Sequence, residues 1–203
     1  FEKDNIVKDF LKNARGISAT PYQKGGAQPD VIIVGNFDIA DGDQDIRNDI
    51  FEKVKKGAKL IVLSRADYFA GKINELQKRR PAYYKTGGIK SLGTNGRYFV
   101  SKSPYFEGLP QAQGMHWEYQ CFYSDFFAFD RRIVSGLPLD IKGSEWIVAL
   151  GDCKTSDIFC ALNKLQVGEG EVILSTLNIL QNLASNQPNS AVAKKLFINL
   201  IEK

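Results

Sequence analysis

The apolar positions along the chain change period several times, and each change marks an element. Val31, Ile32, Ile33 and Val34 form a short continuous run rich in β-branched residues, the pattern of a strand covered on both faces. Gly35 and Asn36 end it. Asp41, Asp43 and Asp45 gather where a helix amino end favours carboxylates, and Ile46, Ile50, Phe51 and Val54 then follow on one helical stripe. Lys53, Lys55 and Lys56 close the last turn, and Gly57 stands at the usual stopping position. Leu60 to Leu63 is a second apolar run. Strand, crossover helix and strand predict a right-handed βαβ unit.

Upstream, Ile6, Val7, Phe10 and Leu11 predict a helix capped by Asp4 and ending near Gly16. Ile17 to Tyr22 is a short strand candidate. A central strand usually feeds the first helix of such a sheet. Either that strand lies before Phe1, or the sheet lacks it. Opening on Phe1 rather than Met, the chain is expected to be processed or cut from something longer.

Downstream, Asp67 to Arg80 predicts a helix with Phe69, Ile73 and Leu76 inward. The segment of about 82–140 differs: it is rich in glycine and holds more than half of the aromatic residues. Around Trp117 to Phe127 helical and strand spacing fit equally well. Trp146–Leu150 and Ile158–Leu165 predict strands. Gly168-Glu169-Gly170 turns the second into Val172–Thr176, as an antiparallel hairpin. Ser190 caps a final helix carrying Ala193, Leu196, Phe197, Leu200 and Ile201.

Length and composition leave this architecture standing. The 203 residues suit one domain, and 43% hydrophobic with 25% charged residues is ordinary for a globular chain. No apolar run reaches the roughly 20 residues of a membrane span. A net charge of +4 is spread among interleaved charges, with Lys78-Arg79-Arg80 the densest cluster, so no basic face for nucleic acid is indicated. Cys121, Cys153 and Cys160 show no CxxC spacing, and with His116 the sole histidine no zinc site and no other cofactor is expected. Three buried thiols, or one Cys153–Cys160 disulfide, remain open.

Candidate chemistry is sparse. Ligands of open α/β sheets collect at the carboxyl ends of parallel strands, here Gly35–Asp38 and Ser64–Asp67. A nucleophilic Ser64 needs a tight strand-to-helix corner, normally flanked by glycine, and its neighbours are Leu63, Arg65 and Ala66. His116 and Glu118 are two apart; extended, they would share a face and could complete a Ser–His–Glu set. A packed histidine is the simpler reading. Neither strand is followed by a glycine-rich phosphate loop. Trp117, Tyr83 and Tyr84 are candidates for stacking on sugar rings.

Asp30–Asn36, Val54–Leu63, Pro104–Pro110, Gly168–Leu177 and Ala193–Leu200, in that order, resemble the class I glutamine-amidotransferase-like domains of flavodoxin-like architecture that accompany family 2, β-galactosidase-type glycoside hydrolases of bacteria. The resemblance implies a mostly parallel central sheet, with antiparallel strands toward the carboxyl end and an aromatic-rich insertion. It further implies a non-catalytic accessory role: contacts with other domains of a parent glycosidase, with carbohydrate at its entrance or with a second subunit, in a periplasmic or secreted protein. True amidotransferases carry a cysteine at the glycine-flanked corner and a His-x-Glu pair on late strands. Here Leu63-Ser64-Arg65 stands at the corner, and His116-x-Glu118 comes too early. The alternatives are a hydrolase or transferase built on Ser64, His116 and Glu118, or a free-standing carbohydrate-binding module.

Overall fold

A computed structural model describes residues 1–37, 43–77, 89–90, 97–122, 133–134, 137–138, 143–151 and 158–203. The strands are β1 (Val31–Val34), β2 (Lys59–Val62), β3 (Ile89–Lys90), β4 (Arg97–Val100), β5 (Gln113–Gly114), β6 (Ile133–Val134), β7 (Leu137–Pro138), β8 (Glu145–Gly151), β9 (Ile158–Val167) and β10 (Gly170–Ser175). The α-helices are α1 (Ile6–Arg15), α2 (Asp43–Lys55), α3 (Ala66–Leu76), α4 (Ile179–Leu183) and α5 (Ser190–Glu202). Two 3-10 helices span Pro104–Phe106 and Trp117–Phe122.

The main sheet runs β1-β2-β10-β9-β8-β4-β5, with β7 also paired to β9. β1, β2 and β10 are parallel, and the remaining pairs are antiparallel. The chain is thus an α/β three-layer sandwich of flavodoxin-like type, parallel at one side and antiparallel at the other. β3 and β6 form a separate two-stranded ladder.

Strand alternation divides the core in two. Leu60 and Val62 of β2, with Val172 and Leu174 of β10, pack under Ile50, Phe51 and Val54 of α2 and Phe69 and Ile73 of α3. Ile61 and Ile173 point the other way, toward α1, α4, α5 and the two 3-10 helices. Each fully buried aliphatic side chain here contributes about 1.5–3 kcal/mol. The same continuous apolar runs that look unpatterned in sequence serve two cores at once.

The βαβ unit forms where its residues predict it, and Gly57 stops α2 with φ 107°. β9 and β10 form the expected hairpin, with Val167 opposite Gly170. Four expectations need correction. Asn5, with φ 58°, precedes α1, and Glu2 covers its amino end: the carboxylate accepts from the Val7 and Lys8 N–H groups at 3.0 Å each. Asp4 contributes a longer contact to Ile6 N–H at 3.4 Å. Ile17–Tyr22 forms no strand, having no sheet partner among the described residues. α3 begins at Ala66 and ends at Leu76; 78–80 lie outside the described residues. Ser190 is the first residue of α5, and its hydroxyl donates back to the Gln187 carbonyl at 2.6 Å rather than capping forward.

The undecided stretch after Trp117 is a 3-10 helix as far as Phe122. Tyr119 and Phe122 are buried there, their rings stacked 6.0 Å apart. Cys121 and Cys160 are buried free thiols, and burial pushes them up to about 11 and about 12. Cys153, the other member of the disulfide alternative, lies outside the described residues.

Candidate functional site

The three parallel strands end side by side, and the residues just past their ends line one cleft. The last rung of the β1–β2 ladder is Leu63 N–H to the Val34 carbonyl, 3.0 Å. Beyond it the chains diverge: Asn36 follows β1, Ser64 follows β2, and Thr176 and Asn178 follow β10. With Asp4 and Gln181 they form the polar wall of a cleft of about 410 Å³, floored by Leu63, Tyr98, Phe122 and Leu180. A second hollow of about 410 Å³ adjoins it over Ser64, Arg65, Asp67, Ser175 and Thr176.

Some of these groups are already engaged. The Asn36 amide donates to Asp4 at 3.2 Å. Ser175 Oγ accepts from Leu177 N–H at 3.2 Å, which turns the chain sharply out of β10. Asn182, buried at 8% exposure, donates to the carbonyls of Cys121 and Asn178 at 2.7 and 2.5 Å. It ties the floor of the cleft to α4. The Thr176 hydroxyl donates to the Ala161 carbonyl at 3.4 Å, which leaves Ser64, Asn178 and Gln181 as the wall side chains placed to meet a hydroxyl-bearing ligand.

The corner between β2 and α3 is tight, as a catalytic corner would be. Its left-handed residue, however, is Arg65, at φ 53° and ψ 42°. Left-handed backbone at a branched or long side chain costs about 1–2 kcal/mol, so the position is structurally demanded. Arg65 is exposed, and its Nε lies 3.4 Å from Asp67. A guanidinium offers donors only, with no acceptor lone pair, and cannot serve as a nucleophile. Ser64 sits one residue earlier, half-buried and facing both hollows.

His116 is not brought to Ser64. Four strands separate β2 from β5, which His116 follows by two residues. At the usual strand spacing that is about 24 Å measured along the sheet. His116 is exposed and lines neither hollow. Its pairing with Glu118 also fails. The chain enters a 3-10 helix at Trp117, directly after His116, so the extended spacing that would put His116 and Glu118 on one face is not formed. Glu118 instead accepts from the Gln113 amide at 3.2 Å. Trp117 is 78% exposed; Tyr83 and Tyr84 lie outside the described residues. Among the described residues no group of three His, Cys, Asp or Glu side chains could hold a metal, and no helix is long and apolar enough to cross a membrane.

No family model matches this chain, and no match is found among curated proteins.

Sequence reasoning reached Asn36 and Ser64 because both follow apolar strands. It missed Asp4, Thr176, Asn178 and Gln181. The available signal was that Val172–Ser175 is apolar at every position from Val172 to Leu174, as suits a parallel strand buried on both faces. Its hairpin partner hid that reading.

Proposed function

We propose that this chain is a non-catalytic accessory domain of a carbohydrate-active enzyme, secreted or periplasmic, which packs against other domains of a parent glycoside hydrolase. The observation that carries the reading is Arg65 at the left-handed corner after β2. The left-handed position after β2 holds an arginine, and the sole histidine, His116, lines neither hollow that Ser64 faces. Support for a contact role comes from the exposed large apolar residues. Phe99 (51%), Trp117 (78%) and Trp146 (40%) all belong to the antiparallel half of the chain, and exposed aromatics of this kind serve protein contacts.

The test is to assay the purified 203-residue chain, with its Ser64→Ala and His116→Ala variants, on nitrophenyl esters, glutamine and nitrophenyl glycosides. The expected result is no turnover distinguishable among the three. Activity that disappears with either substitution refutes the proposal.

A second reading, carbohydrate binding by the domain itself, is favoured by a wall that offers the Asp4 carboxylate, the Ser64 hydroxyl and the Asn178 and Gln181 amides. Calorimetric titration with galactosides, repeated on Gln181→Ala, tests it. Saturable binding that weakens in the variant supports it, and no heat at millimolar sugar removes it.

A further inference from the structure

Among the described residues, the polar wall of the cleft beyond β1, β2 and β10 is neutral at every position but one. Ser64 offers a hydroxyl, and Asn178 and Gln181 offer amides. Each of these groups both donates and accepts, so it meets a sugar hydroxyl whatever the charge on the rest of the molecule. Asp4 is the exception. Its carboxylate accepts from the Asn36 amide at 3.2 Å and from Ile6 N–H at 3.4 Å, both neutral donors. Among the described residues no lysine or arginine lines the cleft, and none pairs with Asp4.

Two positive features stand close by, and both are engaged. The amino end of α1 would favour an anion, but Glu2 covers it: its carboxylate oxygens take the Val7 and Lys8 N–H groups at 3.0 Å each. Arg65 lines the adjoining hollow rather than the cleft, and its Nε stands 3.4 Å from Asp67. The α1 side of the cleft therefore keeps an uncompensated negative charge, which attracts a protonated amine and repels a ligand carboxylate. The floor adds direction. Leu63, Phe122 and Leu180 are apolar, and an ammonium laid on them loses its hydration without gaining a partner. An amine must lie toward Asp4, with the C–H face of the ring on the floor.

We infer that the cleft takes a hexose carrying a free, protonated amino group in preference to its neutral or acidic counterparts, and that Asp4 selects it. The inference rests on the reading in which the domain itself binds carbohydrate. Ser64, Asn178 and Gln181 meet the hydroxyls, and Asp4 accepts from the ammonium. At about 410 Å³ the cleft is at the small end of small-molecule sites, which suits a short sugar rather than a long chain. Exposure sets the size of the preference. Asp4 is exposed, so its ion pair gives about a three- to fivefold gain in affinity at low salt, and less as salt rises.

The test is calorimetric titration of the 203-residue chain at pH 6 and low salt, where a sugar amine is protonated. The probes are galactosamine and glucosamine, each with its neutral hexose, its N-acetylated form and its uronic acid. The amino form binds about three- to fivefold tighter than the neutral hexose, and the uronic acid binds more weakly than either. N-acetylation, which removes the charge, removes the gain, and 0.5 M sodium chloride narrows it. Asp4→Asn keeps an oxygen for the Asn36 amide and Ile6 N–H, and binds amino and neutral forms alike. Gln181→Ala weakens both by the same factor and leaves their ratio intact. The ligand series on the parent chain stands as the test by itself if thermal melting shows Asp4→Asn to be unfolded. Equal binding of amino and neutral forms, tightest binding of a uronic acid, or a preference that survives in folded Asp4→Asn overturns the inference and leaves carbohydrate binding standing. No binding by any probe removes carbohydrate binding and this inference with it.

Discussion

Gly170 and Gly71 should respond in opposite directions to the same substitution. Gly170 opens β10 against the carboxyl end of α2. A Cβ built there would stand 2.1 Å from the Val54 carbonyl oxygen and 2.3 Å from that of Ala58. Both oxygens are backbone, and both belong to anchored chain: Val54 accepts from Gly57 N–H at 2.9 Å, and the residue after Ala58 is held by its own bond to Asp30. Relief needs about 1 Å of movement in two places at once, since comfortable contacts between heavy atoms lie near 3.5 Å. Ordinary overpacking costs about 1–3 kcal/mol, so we expect Gly170→Ala to cost about 3 kcal/mol or more. For a domain of this size that lowers Tm by roughly 6–12 °C. Gly71 lies inside α3 with nothing within 4 Å of its Cβ position and no positive φ. Gly71→Ala should stabilise by about 0.5–1 kcal/mol through helix propensity. Urea unfolding followed by circular dichroism measures both as midpoint shifts at constant slope. A Gly170→Ala protein within about 0.5 kcal/mol of the parent would refute the close docking of β10 on α2.

Other tests address charge. Glu171 accepts from the Tyr105 hydroxyl at 2.7 Å and lies 3.3 Å from Lys59 and 3.7 Å from Lys164; Glu171→Ala should cost about 1.5–3 kcal/mol by urea unfolding, and Tyr105→Phe less. Burial raises the Tyr22, Tyr105 and Tyr119 hydroxyl pKa values, with Asp49 and Glu171 adding to the first two, so the folded state keeps protons that the unfolded state releases. Stability should therefore fall as pH rises beyond 10, and Tyr105→Phe should soften that fall in a Tm-against-pH series. The Phe1 amino group shifts the opposite way: its folded pKa lies below 8.0, so the unfolded state binds more protons and stability rises with pH up to about 8. N-terminal acetylation should flatten that rise.

The parallel half of the fold was legible because each of its elements carries its own signal. α2 has acidic residues at its start, lysines at its end and Gly57 beyond, and β1 and β2 are continuous apolar runs. Neighbour relations were not legible. Nothing local in Val172–Leu174 says that one edge meets β9 while the other meets β2. Ile17–Tyr22 has the composition of a strand, but a strand exists only with a partner. The triad alternative rested on letter spacing at His116-x-Glu118, which holds only in extended chain, and burial of Tyr119 and Phe122 winds that stretch into a 3-10 helix instead. The cleft was half legible, because its walls come from segments far apart in sequence that meet only once the sheet has closed.

The pairing of β10 with β2 has a consequence for biosynthesis. Lys59 and Glu171 sit in register, so β2 gains its inner neighbour only after most of the polypeptide has left the ribosome. At usual elongation rates the delay is roughly 5–20 s. Throughout it the nascent Leu60–Val62 segment offers a bare apolar edge to other chains and to chaperones. Any stop codon ahead of Gly170 makes that exposure permanent, and yields a product destined for aggregation or degradation rather than a smaller working domain.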